Sequence, residues 1–97
     1  MRIRFRDIGE SLGTRVLGEQ IRRQIEASFE KEEFVSFDFE GVSVISHSFA
    51  DECFGKLLLN RDLEDIKSLS TFLNANDLVR KTIAITLKER LDQKPAA

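Results

Sequence analysis

Ile3 and Phe5 alternate with Arg2, Arg4 and Arg6. A strand sends successive side chains to opposite faces, so this segment predicts a strand with one buried and one wet side, its charges suiting an edge. Asp7 to Gly13 carries Gly9, Ser11 and Gly13 and reads as a loop, after which Thr14 is the expected cap of a helix beginning near Arg15. Leu17, Ile21, Ile25 and Phe29 then recur every fourth residue, with Glu19, Arg22, Arg23, Glu26 and Glu30 on the other faces. That is an amphipathic helix lying on a core. Gly18 in its first turn sacrifices about 1 kcal/mol of helix propensity against alanine, which points to a close packing contact.

Phe34 to Phe39 is short, aromatic and apolar on both faces, the pattern of a central strand, with Asp38 as its one charge. Gly41 ends it. Val42 to Ile45 continues as an extended approach to Ser46-His47-Ser48, beyond which Ala50, Cys53, Phe54, Leu57 and Leu58 fall at helical spacing. Ser48, three residues before Asp51, resembles a capping-box start, with Ser46 as the rival cap. After the polar stretch Asn60-Arg61-Asp62, alternation through Leu69, Thr71 and Leu73 predicts a third strand, then a turn at Asn74-Ala75-Asn76. Asn76 is the expected cap of a last helix carrying Leu78, Val79, Ile83, Leu87 and Leu91 on one stripe. The β-branched run from Thr82 to Thr86 leaves a strand entering at Thr82 as the alternative.

The predicted fold is α/β, a small sandwich with a mostly parallel sheet in βαβαβα order and right-handed crossovers. One domain over residues 1–92 is expected, with 93–97 as a frayed tail around the one proline, Pro95. In such sheets functional groups gather where strand ends meet helix starts, here Asp7 to Thr14, Glu40 to Ser48 and Asn74 to Asn76.

Composition narrows the function. Across 97 residues, 41% are hydrophobic and 33% charged, a mix that folds, and the formal charge of −2 lacks the basic excess of a nucleic-acid or anionic-membrane binder. No apolar run is long enough for a transmembrane helix and the first residues lack a hydrophobic signal core, so a cytoplasmic protein is expected. One cysteine, Cys53, and one histidine, His47, give neither an internal disulfide nor a Cys/His metal cluster, and neither metal nor cofactor is expected. His47, Ser48 and Asp51 are the residue types of a hydrolytic triad, but as near neighbours in one helix start they do not face each other, and no G-x-S-x-G elbow is present. Gly9, Gly13 and Gly18 are spaced too widely for a phosphate loop. Cys53 lies on a buried stripe, an inert core thiol. A non-enzymatic protein is expected.

The segment Phe37-Asp38-Phe39-Glu40-Gly41-Val42-Ser43-Val44-Ile45-Ser46-His47-Ser48 resembles the region around the phosphorylated serine of STAS domains, found in bacterial anti-sigma-factor antagonists. By position the resemblance sets Ser48 on the phosphorylatable serine and Asp38 on the strand aspartate. Ser46, His47 and Phe49 depart from the aspartate, serine and small residue usual there. Asp38 to Val42 with Ser48-Phe49-Ala50-Asp51-Glu52, together with Thr14-Arg15 and Asn74-Ala75-Asn76, is closer still to a STAS-like family of unknown function, DUF4325. Members of that family occur as short chains and as modules beside helix-turn-helix or histidine-kinase-like ATPase domains, which implies a regulatory adaptor.

The expected function is therefore a bacterial partner-switching type of signalling module that binds a histidine-kinase-like ATPase or another regulator and is switched at Ser48. A phosphate there adds about −1.5 to −2 charge to a first helical turn, opposed by Asp51 and Glu52. The expected contact surface comprises Asp38, Glu40, Ser46, His47, Phe49, Asp51 and Glu52, an acidic face for a basic partner, with Arg15 beside the first cap available to pair with Asp51 or Glu52. A homodimer stays open. The alternative is a receiver-like or small-ligand-binding α/β domain in which Asp38 is the reactive or coordinating carboxylate.

Overall fold

A computed structural model describes residues 1–94. The strands are β1 (Arg2–Arg4), β2 (Ser11–Leu12), β3 (Val35–Asp38), β4 (Val44–Ile45) and β5 (Ser70–Leu73). The helices are α1 (Arg15–Glu30), α2 (His47–Cys53), α3 (Leu63–Leu69) and α4 (Asp77–Gln93). None of these helices is long and apolar enough to cross a membrane.

β1, β3 and β5 form a parallel sheet in that spatial order, with Ile3 opposite Phe37 and Phe37 opposite Phe72. Two right-handed crossovers that step the same way across a sheet deliver their helices to one face. The side chains agree. Ile3, Val35 and Phe37 point into the core, whereas Arg2, Arg4, Ser36, Thr71 and Leu73 on the opposite side keep contact with water. The core is built on aromatics: Phe5 stacks on Phe39 at 4.4 Å, and Phe54 meets Phe37 edge-on at 5.2 Å.

The expected order is too simple. Phe5–Asp7 is a tight 3-10 turn and β2 pairs in parallel with β4, Leu12 opposite Ile45, so the expected loop from Asp7 to Gly13 is partly structured. Phe34 lies outside β3 and is exposed, its carbonyl accepting from the Met1 amine at 2.7 Å. α2 stops at Cys53 and tightens into a 3-10 segment over Gly55–Leu59, although Cys53, Phe54, Leu57 and Leu58 are all buried as the spacing predicts. α3, absent from the expected series, carries Leu63, Ile66 and Leu69 into β5.

The β-branched run is helical throughout, so the strand alternative at Thr82 fails. On α4 Val79 and Ile83 are buried, while Leu78 and Leu91, expected on the inner stripe, are exposed. Thr86 takes an inner position instead, its hydroxyl donating to the Ile83 carbonyl at 2.8 Å. Of the expected tail, Gln93 belongs to α4 and Lys94 donates to the Arg61 carbonyl at 3.1 Å, while residues 95–97 lie outside the described residues.

Candidate functional site

The β2–β4 pairing brings Gly13 beside the start of α2, and this settles which serine caps the helix. Ser46 Oγ accepts from the Phe49 N–H at 3.0 Å and donates to the Gly13 carbonyl at 2.9 Å. Ser48 is therefore not the cap. It stands inside the first turn of α2, half-buried, and among the described residues its hydroxyl has no hydrogen-bond partner. The other two expected caps hold: Thr14 Oγ1 accepts from Leu17 N–H at 3.2 Å and Asn76 Oδ1 from Val79 N–H at 2.8 Å. His47 is exposed and its Nε2 meets Glu89 Oε1 at 2.8 Å, so it is directed to α4 and away from Ser48.

Asp51 and Glu52 are not the surface carboxylates expected; they are 7% and 6% exposed. Arg90 from α4 grips Asp51 through two hydrogen bonds of 2.7 Å, and Arg15 from α1 reaches Asp51 at 3.1 Å and Glu52 at 3.4 Å. Arg22 donates to the Glu52 carboxylate at 3.1 Å and to its backbone carbonyl at 2.7 Å, and Lys56 lies 2.9 Å from the same carboxylate. Charges leave water at a cost that only opposite charges and hydrogen bonds offset, and here each carboxylate has them. Arg90, with Arg15 adding to it against the opposing effect of burial, holds Asp51 down at about 2. Burial pushes Glu52 up, yet Lys56, Arg22 and Arg15 outweigh it and leave the carboxyl below its usual range.

Two glycines make this clamp possible. A Cβ on Gly18 would stand 2.9 Å from the Phe49 carbonyl oxygen, so α1 and α2 cross there at backbone distance. A Cβ on Gly55 would stand 2.7 Å from Asp51 Oδ1, in the space the Asp51–Arg90 pair occupies. Next to the clamp Cys53 is fully buried, and burial raises its thiol well above the ordinary value.

Asp38, at the C-terminal end of β3, is 2% exposed although it points to the helix-free face. Asn74 donates to it at 3.0 Å, the Glu40 N–H at 3.0 Å and Arg2 Nε at 3.0 Å, and in that order they hold its carboxyl at about 2. Asn74 reaches it from a left-handed backbone conformation, φ 58°, which asparagine tolerates better than most residues. Asp38 thus ties the end of β3 to the first residue of β1 and to the turn that follows β5.

Of the expected contact surface, Asp38, Phe49, Asp51 and Glu52 are buried and cannot present their side chains to a partner. Glu40 and His47 are exposed, and Ser46 and Ser48 are half-buried. α4 and β4, which pack near the start of α2, carry exposed apolar side chains. Asn76 Nδ2 donates to the carbonyls of Val42 and Ser43 at 3.3 and 3.1 Å, which draws the start of α4 against the approach to β4. Leu78, Thr82, Ile85 and Glu89 share one flank of α4 by helical spacing, and the Glu89–His47 contact turns that flank toward the start of α2. Leu78 and Ile85 are each 54% exposed, and Val44 on β4 is exposed as well.

Among the described residues no group of three His, Cys, Asp or Glu is arranged to hold a metal ion. His47, Ser48 and Asp51 do not form a triad: the Ser48 hydroxyl is unbonded, His47 is held by Glu89 and Asp51 by Arg90. The molecule is thus a parallel α/β domain with an unbonded, half-buried serine hydroxyl in the first turn of α2. The family model for a STAS-like domain of unknown function, DUF4325, matches residues 18–80, about two-thirds of the chain, and the protein belongs to that family. Neither the curated proteins nor the solved structures contain a match.

Proposed function

We propose that this STAS-like domain is a non-enzymatic interaction module of a bacterial partner-switching system. It docks a histidine-kinase-like ATPase or another signalling regulator on the surface around the start of α2, and phosphorylation of Ser48 releases that partner. One observation carries the reading: Ser46 performs the capping, which leaves the half-exposed Ser48 hydroxyl without a hydrogen-bond partner at the start of α2, where the His47–Glu89 contact brings in the flank of α4 that carries the exposed Leu78 and Ile85. Exposed apolar side chains gathered on one surface are a signature of protein docking. A phosphate of about −1.5 to −2 charge at their edge opposes a dry contact by its desolvation cost. Asp51 and Glu52, three and four residues on, are already neutralised by Arg15, Arg22, Lys56 and Arg90, so they do not oppose the modification.

The alternative, a receiver-like or ligand-binding domain using Asp38, has less support, since donors already enclose that carboxylate. The test is co-purification from the native host with four tagged forms: wild type, Ser48→Ala, Ser48→Asp and the pair Leu78→Glu with Ile85→Glu. Wild type and Ser48→Ala retain a common partner, Ser48→Asp and the double variant lose it, and intact mass of the unbound pool shows one phosphate on wild type only. A partner retained equally by all four refutes the proposal.

A further inference from the structure

We propose a second docking site on the opposite flank of α4, where the outer edge of β5 takes up an extended acidic segment of a partner protein as an added strand. β5 has β3 on one side and, among the described residues, no strand on the other. Leu73 turns its carbonyl to β3, accepting from Phe39 N–H at 2.9 Å, and peptide groups alternate along a strand, so the N–H and C=O of Phe72 face outward. An edge of this kind templates strand addition, and charge or a covering element is the usual protection.

Among the described residues no further strand covers this one, and the charge beside it is cationic. The Phe72 ring is partly exposed and lines a groove of about 260 Å³ with Ala75, Ile83, Ala84 and Leu87, so a side chain of an added strand has an apolar seat beside the free peptide groups. Arg80 also lines that groove and lines the next hollow with Asp77, Lys81 and Ala84. Lys88 continues the same exposed side of α4 one turn further. Against these three cations stand Asp77, 4.0 Å from Arg80, and the exposed Asp92, one turn beyond Lys88; among the described residues Lys81 and Lys88 have no ion pair.

Charge selects the occupant. A second copy of the chain, paired edge to edge across a two-fold axis, would bring this cationic flank against its own image. An extended segment alternating apolar and acidic residues instead satisfies the peptide groups, the groove and the cations together. The groove on Phe72, Ile83 and Leu87 lies on the other flank of α4 from Leu78 and Ile85, with Lys81 and Lys88 on the ridge between them.

The probe is a fluorescein-labelled, end-blocked peptide of alternating glutamate and valine, titrated by anisotropy at low salt. Binding is expected with amide shifts centred on Phe72 and Ala84. N-methylation of the peptide residues whose N–H groups face β5 abolishes it, and N-methylation of the intervening residues does not. Lys81→Glu combined with Lys88→Glu, at exposed helix positions that preserve the fold by circular dichroism, weakens it about tenfold. Three results overturn the proposal: no binding, binding indifferent to N-methylation, or a concentration-dependent dimer that protects the Phe72 amide and excludes the peptide.

Discussion

Replacing Gly18 by alanine adds one methyl group at the point where α1 crosses α2. On an isolated helix the change is favourable by about 0.8–1 kcal/mol. In this fold the new carbon would stand 2.9 Å from the Phe49 carbonyl oxygen, 3.0 Å from Glu52 Cβ and 3.3 Å from the Cys53 nitrogen. None of these atoms can rotate aside, because two are backbone and the third is fixed to it. The helices must part by several tenths of an ångström, and the 2.7 Å bond from Arg22 to the Glu52 carbonyl stretches with them. Overpacking of this kind costs about 1–3 kcal/mol, and rigid neighbours put it in the upper half of that range. Net destabilisation of about 1–2 kcal/mol is expected, with a fall in Tm of about 4–8 °C per kcal/mol for a domain of this size. Gly13→Ala is the control: a Cβ there meets nothing within 4 Å, and the stiffer unfolded chain contributes about 0.4–1 kcal/mol of stability. Urea unfolding of both variants measures the difference as opposite shifts in midpoint at constant slope. A Gly18→Ala protein as stable as wild type would refute the close helix crossing and the clamp geometry built upon it.

The two serines at the start of α2 should behave differently: Ser46→Ala loses its cap and about 0.5–2 kcal/mol, whereas Ser48→Ala stays within about 0.5 kcal/mol of wild type in the same urea titration. Acid should unfold the domain through its held carboxylates. Asp51 and Asp38 are at about 2 when folded, below the ordinary value of about 3.9, so their contribution is complete above about pH 4 and is lost as the pH falls toward 2. Thermal melts from pH 6 to pH 2 should show that fall. Asp51→Asn should lower stability at pH 6 and flatten the decline, because it leaves Arg90 without its carboxylate partner; an unchanged profile would contradict the clamp.

The features legible in the chain are those that depend on local spacing. The stripe of Ile21, Ile25 and Phe29, the caps at Thr14 and Asn76, the central position of β3 and the close contact at Gly18 all follow from residues a few positions apart. α3 has a weak sequence signature because Leu63, Ile66 and Leu69 span less than two turns, and Leu69 runs directly into the alternation of β5. Ser46 and Ser48 are equivalent by local pattern, and the tie is broken by the carbonyl of Gly13, 33 residues earlier. Asp51 and Glu52 looked like surface charges for the same reason. Apart from Lys56, four residues after Glu52, their partners Arg15, Arg22 and Arg90 lie 30 to 39 residues away, and no periodicity within α2 announces them. The Arg15 pairing was foreseeable as charge beside a cap; Arg22 and Arg90 become visible only once three helices share one face.

The clamp also sets an order of events while the chain is being made. Arg15 and Arg22 precede Asp51 and Glu52, but Arg90 follows Asp51 by 39 residues. At synthesis rates of about 5–20 residues per second, Asp51 waits about 2–8 s for its bidentate partner. During that interval α1 and α2 can meet through Gly18 and Arg15, while the inner faces of Val79 and Ile83 are still missing from the core. Completion of the domain is therefore tied to the emergence of α4, the helix whose two flanks carry both proposed docking sites. Neither proposed docking surface is complete before that helix is in place.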